Sequence, residues 1–494
     1  MTATAKAPSD GDSLGRKTGR GILQTLGGQW ARTLLQLAST VVLARLLVPE
    51  DFGLLAMVTA IVGIAEVVRD FGLTAAILQL KTISDRLWSM VFWLSALLGT
   101  VCTIVIAVLA PLIAGLYGEP RLIEITLVLA PSLLLNSMSM PFQTRLQRQL
   151  NFGKIAIVDV VSMAVGVVLA IAAGFLGWGV WSLVVLNGAG IVARFVGLWI
   201  AARPPIGAPR LGRELLRVLG SSANLFGSEM LGYLTKNLDN VVVGRFAGPA
   251  VLGFYGRAYS LLLLPLTQIN GPLTRVALPV LSSLQDDPER YRRYIYNALM
   301  VISYASLTVF AIGAAVADPL IHIFLGPGWS ESVPIFQLLA IGGVAQSLDT
   351  ARTWLYISLR RTGRQLIYVL CTRPIVIASF VVGMLWGGVN GLVLLSGVIM
   401  LVLLVPGFYF AIQGTFVRAS DVVMPFVRPV LLAPFMFAAA WAVQQPLHLL
   451  PIVELMIGGL AGLVPLALAF VIVPPVRRDV RLLADFARKI RAKP

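Results

Sequence analysis

The sequence predicts an all-α polytopic membrane protein with about fourteen transmembrane helices. Hydrophobic residues make up 57% of the 494 residues and charged residues only 13%, whereas a soluble domain carries about 25% charged residues. Apolar runs of crossing length recur along the whole chain, with short loops between them. Lysine and arginine are concentrated in alternate loops, which is the pattern of cytoplasmic segments. These observations exclude a soluble enzyme, a DNA-binding protein and a disordered chain.

The apolar runs give the predicted helices in chain order. The N-terminal cytoplasmic segment 1–21 is polar and has no apolar run, so we expect no cleavable signal peptide. Each later run reaches the roughly 20 residues that a bilayer crossing needs. The predicted spans cover residues 22–46, 53–78, 87–114, 122–146, 155–176, 178–201, 217–244, 250–282, 294–317, 333–358, 366–386, 389–412, 422–443 and 451–475.

These spans are expected to form two six-helix lobes and two additional helices. The N-terminal lobe covers 22–201, a cytoplasmic linker covers 202–216, and the C-terminal lobe covers 217–412. The additional helices lie within 422–475. The basic tail 476–494 is predicted to lie on the inner membrane surface as an amphipathic helix, because apolar residues recur at helical spacing at Val480, Leu483, Phe486 and Ile490.

The excess of positive charge predicts the topology. The net charge of +16 comes from 39 Lys and Arg against 23 Asp and Glu. In a soluble protein this excess would suggest nucleic-acid binding, but here it lies in loops, so we expect no nucleic-acid partner. Basic residues before the first span and after the last one place both termini in the cytoplasm. Cys102 and Cys371 both lie in apolar spans and do not indicate a disulfide framework.

The chain contains an internal repeat at a shift of 200 residues. The sequence VVLARLLVPEDFG at 41–53 aligns without a gap with VVVGRFAGPAVLG at 241–253. Identical pairs include Pro49 with Pro249 and Gly53 with Gly253. Further on, Thr74 and Leu78 match Thr274 and Leu278. Six spans separate the copies, which predicts two bundles related by a pseudo-two-fold axis along the membrane normal, an architecture typical of transporters.

Polar residues form a stripe on the first and the seventh predicted spans. In the first span they recur at i, i+4, i+7 and i+11, at Gln29, Thr33, Gln36 and Thr40. The same offsets in the seventh span give Glu229, Tyr233, Lys236 and Asn240. A polar stripe that faces lipid is costly, so we interpret both as walls of one central, water-accessible cavity. Polar helix–helix packing is the alternative interpretation.

Ionisable residues at membrane depth are concentrated in the same parts of the two halves. Besides those of the stripes they are Arg32, Glu66, Arg69, Asp70, Asp239, Arg257 and Arg275. A structural ion pair is the alternative role of Glu66 with Arg69 and of Lys236 with Asp239, since the members of each pair are three residues apart. Asn270 completes the predicted polar lining. Snorkelling to the headgroups is the interpretation for Arg194, Arg352 and Arg373.

The balance of these charges favours an anionic ligand. Arg32, Arg69, Lys236, Arg257 and Arg275 outnumber the acidic residues near them. Guanidinium groups bind phosphate in a bidentate manner, so several of them in one cavity are typical of phosphate recognition. Pro265, Pro272 and Pro279 recur every seven residues in the eighth span, which predicts a kinked or bending helix.

No catalytic or metal-binding motif is visible in the sequence. There is no Walker motif, and His322 and His448 lie in different loops without metal-type spacing. A membrane glycan polymerase or ligase is the alternative among enzymes. Its outer loop would need acids, bases and sugar-binding groups, and the longest predicted outer loop offers Asp318, His322 and Glu331. We therefore expect no enzymatic activity, no cofactor and no metal site.

Two segments resemble a known family. They are LARLLVPEDFGLLAMVTAIVGIAEVVRDFGLTAAILQ at 43–79 and LDNVVVGRFAGPAVLGFYGRAYSLLLLPL at 238–266. The Asp-Phe-Gly at 51–53 and the Leu-Gly-Phe-Tyr-X-Arg-Ala-Tyr at 252–259 carry the resemblance. Both resemble the polysaccharide exporters of the multidrug/oligosaccharidyl-lipid/polysaccharide (MOP) flippase superfamily, in its Wzx-like, colanic-acid-exporter branch.

The resemblance implies a function. A protein of this kind moves undecaprenyl-diphosphate-linked oligosaccharide repeat units across the bacterial cytoplasmic membrane by alternating access, for exopolysaccharide or O-antigen and lipopolysaccharide synthesis. The implied partners are the polyprenyl-diphosphate-linked oligosaccharide, membrane lipids, and the polymerase and chain-length proteins of the pathway. The coupling ion, H⁺ or Na⁺, stays open. A lipid II flippase and a drug/cation antiporter of the same superfamily are the alternatives, although an antiporter would favour an acidic cavity.

The resemblance also suggests what the cavity residues bind. In lipid II flippases of the superfamily, cavity arginines are proposed to hold the diphosphate, and two extra C-terminal helices border a groove for the lipid tail. On that basis the diphosphate is expected at Arg32, Arg69, Lys236, Arg257 and Arg275.

Overall fold

The computed structural model describes most of the chain. The described residues are 10–70, 77, 83–203, 206–208, 213–444, 450–479 and 482, and side chains are described from Gly27 onward except at 213–229, 231 and 234–235. Several predictions lie outside these residues. They concern part of the linker 202–216, Thr74, Leu78, the side chain of Glu229, and Val480, Leu483, Phe486 and Ile490 of the tail.

Every regular element in the described residues is helical, as the composition predicts. The helices are α1 (Asp10–Leu46), α2 (Pro49–Asp70), α3 (Asp85–Tyr117), α4 (Leu122–Leu129), α5 (Pro131–Arg148), α6 (Phe152–Phe175), α7 (Val180–Ala202), α8 (Arg213–Ser283), α9 (Pro288–Ala315), α10 (Ala317–Phe324), α11 (Ser332–Ser358), α12 (Thr362–Ile412), α13 (Ala419–Gln444) and α14 (Pro451–Ile472). A short 3₁₀ turn, Pro327–Trp329, lies between α10 and α11.

Glycines break the two longest helices between predicted spans. In α8, Gly248 has φ 84°, and in α12, Gly388 has φ 61°; both values lie in the region that glycine adopts without steric cost. The break in α8 falls between the predicted spans 217–244 and 250–282. The break in α12 falls between 366–386 and 389–412. Each long helix therefore consists of two segments.

Ten helices in the described part of the chain are long and apolar enough to cross a membrane. Two of these stretches, Lys236–Ser283 and Thr362–Ile412, contain 48 and 51 residues, which is enough for two crossings each. The helices α1 and α11 are outside this set, because polar residues interrupt their apolar runs. The chain is thus a multi-pass membrane protein, and the count of fourteen stays a prediction.

The chain forms two compact units, 1–253 and 254–494. In the first unit, α1 runs beside α6 in the same direction, since Gly28 meets Ala156 near one end and Gly174 meets Leu46 near the other. The neighbouring pair α6 and α7 is antiparallel and closely packed, because a Cβ atom at Gly166 would overlap the backbone of α7. Small residues at such contacts let membrane helices approach each other.

The core of the second unit lies between α9, α11 and the second segment of α12. It contains the fully buried Tyr291, Trp354 and Tyr356, and the Tyr291 hydroxyl lies 2.6 Å from Ser358 Oγ. Two ion pairs within this unit involve α13: Arg292 Nε of α9 donates to Asp421 at 2.6 Å, and Arg428 Nη1 of α13 donates to Asp479, at the start of the tail, at 2.6 Å.

Candidate functional site

The predicted stripe of the first span lies on α1, which is exposed on several faces, since Trp30 and Leu34 outside the stripe are 56% and 62% exposed. Gln29, Arg32 and Gln36 are exposed, while Thr33 and Thr40 are half-buried. The two threonine hydroxyls donate to the backbone carbonyls of the residues four positions earlier, both at 2.9 Å. Polar side chains that are exposed on a membrane helix need water or a ligand. Arg32, which is exposed on this helix, offers a charged group to such a ligand.

The predicted stripe of α8 has two kinds of member in the structure. Tyr233 donates a hydrogen bond to the backbone carbonyls of Thr59 and Ala60 on α2, at 3.2 and 3.1 Å, which is helix packing. Lys236 is exposed and Asn240 is half-buried. Among the members of this stripe whose side chains are described, Lys236 is the exposed one.

The acidic and basic residues of α2 do not pair with each other. Glu66 accepts a hydrogen bond from Asn136 Nδ2 at 3.3 Å, and no ion pair between Glu66 and Arg69 forms in the part of the chain that is described. The Nη1 atom of Arg69 is buried and has no hydrogen-bond partner among the described residues. Asp70, the last residue of the helix, is half-buried. Among the described residues, Arg69 therefore has no carboxylate partner.

Lys236 and Asp239 likewise form no ion pair with each other in the described residues. Asp239 is only 7% exposed, and its Oδ1 accepts the backbone N–H of Asn240 at 2.8 Å. The ammonium group of Lys236 therefore forms no ion pair with a described side chain of its own helix. The structural role that the spacing allowed for these two residues is not the one observed.

In the second unit the predicted residues lie along α8. Arg275 is exposed and Arg257 is half-buried. Asn270 Nδ2 donates to Thr350 Oγ1 on α11 at 3.1 Å, whereas Asn270 Oδ1 is buried without a partner among the described residues. One turn further on, Trp354 Nε1 donates to Thr274 Oγ1 at 3.0 Å. These contacts join α8 and α11 into one polar surface.

A further polar stripe lies on α11 and was not predicted. We call Gln346, Asp349, Thr350 and Thr353 the α11 stripe; all are half-buried, while most residues on the other faces of this helix are fully buried. Arg352 is only 4% exposed, and its Nε donates to Asp349 Oδ1 at 2.7 Å. Its guanidinium carbon lies 4.3 Å from the ring centre of Tyr368. The prediction that Arg352 snorkels to the headgroups is therefore wrong.

Arg194 also has a partner that the sequence analysis did not assign. Its Nε donates to Asp159 on α6, and its Nη2 donates to Gln143 on α5, both at 2.9 Å. The spacing of Asp349 and Arg352, three residues apart, was a signal available in the sequence. The pair of Arg194 and Asp159 had no such signal, because 35 residues separate its members.

The repeat-related turns contact each other reciprocally within the first unit. A Cβ atom at Gly53 would overlap the carbonyl of Pro249, and a Cβ atom at Gly253 would overlap the carbonyl of Pro49. Nearby, outside the spans, Arg121 donates to Glu50 at 2.5 Å and to Glu119 at 3.0 Å, and these hydrogen bonds raise its pKa further.

Comparison with known sequences gives a family match. The profile of the family described as "Polysaccharide biosynthesis protein" matches residues 42–334. The lipopolysaccharide biosynthesis protein WzxC of Escherichia coli (strain K12) is 27% identical over 317 residues, 64% of either chain. The teichuronic acid biosynthesis protein TuaB of Bacillus subtilis (strain 168) is 27% identical over 292 residues, 58% of this chain and 59% of its own.

A third relative is the succinoglycan biosynthesis transport protein ExoT of Rhizobium meliloti (strain 1021). It is 27% identical over 313 residues, which is 62% of either chain. Each of these three matches spans less than two thirds of the relative's own length.

Comparison with solved structures shows the fold. The lipid II flippase MurJ, in an inward closed conformation, superposes with a TM-score of 0.70 at 14% identity and covers 91% of this chain and 99% of its own. An inward-facing multidrug resistance MATE family transporter of the MOP superfamily gives 0.61 at 14% identity, over 77% of this chain and 93% of its own. At these identities the likeness concerns the fold alone.

Proposed function

The chain belongs to the polysaccharide biosynthesis protein family, and from this premise we propose that it translocates lipid-linked saccharides across the bacterial cytoplasmic membrane. The proposed substrate is an undecaprenyl-diphosphate-linked oligosaccharide repeat unit, moved from the inner to the outer leaflet for exopolysaccharide or O-antigen synthesis. Both termini are placed in the cytoplasm on the basis of the loop charges. The resemblance to the MOP superfamily in the sequence is confirmed by the family and the fold.

The observation that carries the proposal is the family match, together with accessible cations on membrane helices. A diphosphate that crossed hydrocarbon alone would carry a very large desolvation cost. Arg32, Lys236 and Arg275 are exposed on α1 and α8, and Arg69 has a buried N–H without a partner among the described residues. Such groups would offset much of the cost, because guanidinium and ammonium groups bind phosphate oxygens directly.

The distribution of these cations favours transport over tight binding. They are spread over α1, α2 and α8 and lie on accessible or half-buried faces. A single dry, deeply buried clamp would hold the diphosphate too tightly for release on the other side. Several moderately placed cations lower the barrier and still release the headgroup, since each contact with solvent weakens the individual interaction.

Lys236 provides the sharpest test, because it is exposed and has no ion pair in the described part of the chain. In cells that depend on this protein for export, Lys236→Gln should stop surface polysaccharide formation and accumulate the lipid-linked repeat unit in the inner leaflet. Lys236→Arg should retain more export than Lys236→Gln, because positive charge is the proposed property. Arg293→Gln removes an exposed cation at the start of α9 and is the matched control.

Normal export by Lys236→Gln would remove Lys236 from the binding site. Normal export by the corresponding Gln variants of Arg32, Arg69, Arg257 and Arg275 as well would overturn the cationic mechanism. Protein level and membrane insertion must be measured in each strain, so that loss of export is not confused with loss of protein.

A lipid II flippase is the second candidate, favoured by the fold similarity to MurJ over nearly all of that chain. The substrates of the two functions differ in the glycan and share the diphosphate. Purified protein in liposomes should flip the lipid-linked repeat unit of its own host faster than lipid II. The opposite preference would assign the chain to peptidoglycan precursor transport.

A further inference from the structure

The α11 stripe presents a carboxylate that the proposed diphosphate site does not use. The Asp349 side chain is 44% exposed, whereas the Arg352 side chain behind it is 4% exposed. A charged group that faced lipid would be very costly, so this face of α11 must meet water or a polar ligand. The exposed carboxylate therefore marks a polar site on the second unit.

The surroundings of Asp349 hold its carboxylate in one orientation. Arg352 binds only Oδ1, through Nε at 2.7 Å and Nη2 at 2.6 Å. Tyr356 and Tyr368 stack on the guanidinium at 5.3 and 4.3 Å, and Tyr368 is fixed in turn by donating to the carbonyl of Leu403. Oδ2 of Asp349 has no hydrogen-bond partner within the described ranges, so it remains an open acceptor.

Neutral hydrogen-bonding groups surround this acceptor. The side-chain amide of Gln346 lies one turn before Asp349 and has no protein partner in the residues that are described. Asn270 Oδ1, beside Thr350, is buried and likewise lacks a donor among the described side chains. One fixed carboxylate oxygen, the amide of Gln346 and threonine hydroxyls form a set of acceptors and donors at helical spacing, with little free positive charge on the stripe itself.

We propose that the α11 stripe binds the saccharide part of the lipid-linked substrate, with Asp349 Oδ2 accepting hydrogen bonds from sugar hydroxyls. Sugar hydroxyls are abundant donors, and a hydrogen bond to an ionised acceptor is about twice as strong as a neutral one. The half-buried amide of Gln346 binds a further hydroxyl. This inference rests on the proposed function and adds a glycan-recognition site to it.

Proton binding is the competing use of Asp349, and the geometry disfavours it. A proton on Asp349 would remove the counter-charge of a guanidinium that is almost fully buried, which is costly. Arg352 acts as a positioning residue, since it touches the carboxylate and not the ligand. Its removal should therefore change glycan affinity only through Asp349.

The test measures lipid binding to the purified full-length protein in nanodiscs. The two probes are the lipid-linked repeat unit extracted from cells that make this protein, and sugar-free undecaprenyl diphosphate. The variants are Asp349→Asn and the double variant Asp349→Asn with Arg352→Met, which leaves no unpaired buried charge and keeps the test valid if the single variant does not fold. The matched control is Asp421→Asn with Arg292→Met, an ion pair of similar length in the same unit.

Both Asp349 variants should bind the sugar-bearing lipid roughly 10- to 100-fold more weakly, the range for a lost hydrogen bond to a charged group. Binding of sugar-free undecaprenyl diphosphate should change less than about twofold, and the control should match the wild type with both lipids. Gln346→Ala should weaken binding of the sugar-bearing lipid by about threefold.

Unchanged affinity for the sugar-bearing lipid in the double variant would overturn the glycan site, and so would an equal loss with both lipids. Unchanged glycan affinity together with export that no longer depends on pH would assign Asp349 to proton binding. If the wild type bound neither lipid, the proposed function itself would fail. A wild type that binds both lipids and a double variant without effect would reject only the glycan site.

Discussion

Arg352 on α11 and Arg69 on α2 both bury an Nη1 atom without a hydrogen-bond partner among the described residues, yet their surroundings differ. Arg352 has a carboxylate at 2.6 Å and two tyrosine rings against its guanidinium. Arg69 has no ion pair in the part of the chain that is described. A paired guanidinium stabilises the fold, whereas an unpaired one at membrane depth costs free energy unless a ligand supplies the counter-charge. Arginines of the two kinds should respond differently to substitution.

The largest effect on stability is expected at Asp349. Asp349→Leu leaves the buried guanidinium of Arg352 without a counter-charge and should lower the free energy of unfolding by about 3–5 kcal/mol. Reversible denaturation in detergent would measure it. Adding Arg352→Met to the same protein should restore most of the stability, because the buried charge is then gone. A double variant as unstable as the single one would show that the pair does not act through its charge.

An intermediate effect is expected at Asp159, which pairs with Arg194 between α6 and α7. Both side chains keep some exposure, at 21% and 30%. Asp159→Leu should therefore lower the free energy of unfolding by about 1–2 kcal/mol, the lower part of the range for hydrogen bonds to charged groups. A double-mutant cycle with Arg194→Leu isolates the coupling between them. If Asp159→Leu lowered the free energy of unfolding as much as Asp349→Leu, the difference in burial would not determine how much each ion pair contributes to stability.

Replacement of Arg69 should change the free energy of unfolding in the opposite direction. Arg69→Met removes a buried N–H that has no partner among the described residues and should leave the free energy of unfolding unchanged or raise it by about 1 kcal/mol. Export should fall at the same time, because the proposed diphosphate contact is lost. Denaturation of the purified variant in detergent measures its stability, and surface polysaccharide formation in cells measures its export. Loss of stability together with retained export would show that Arg69 is structural, and the comparison with Arg352 would then fail.

The smallest effect is expected at Arg121, which pairs with Glu50 and Glu119 at the surface. Its side chain is 54% exposed, and such pairs contribute at most about 1 kcal/mol. Arg121→Gln should change the free energy of unfolding by less than that, and the difference should shrink further in high salt. A salt-independent loss would indicate a contact that the exposed pair does not explain.

The sequence predicted which residues are candidates better than it predicted their partners. The stripe on α1 was identified from its spacing; its members Gln29 and Gln36 are exposed and Thr33 and Thr40 half-buried, and the cavity that they would line stays a prediction. Tyr233 satisfied the same spacing but donates to backbone carbonyls of α2, because a face shared with a neighbouring helix is not visible from periodicity. The α11 stripe has similar spacing and was not predicted, because α11 lies outside the two helices whose polar residues align in the repeat.

The repeat shows how sequence and structure complement each other. Identity of Pro49 with Pro249 and of Gly53 with Gly253 predicted related turns. In the structure these turns meet, and each glycine admits the carbonyl of the opposite proline. No single-sequence pattern states that two related turns touch, because the contact depends on how helices far apart in the chain come together.

The sequence alone determined that this protein is an all-helical membrane protein with a basic, repeated, transporter-like pattern. Composition and apolar run length are sufficient for that, since a helix that crosses a bilayer satisfies its backbone hydrogen bonds within its own segment. Tertiary structure decided which polar groups are satisfied. Arg352 and Arg194 acquire carboxylate partners, whereas Arg69 and Lys236 form no ion pair in the described residues. That outcome depends on which side chains packing brings within hydrogen-bond distance, a quantity set by three-dimensional contacts and not by the local spacing of residue types.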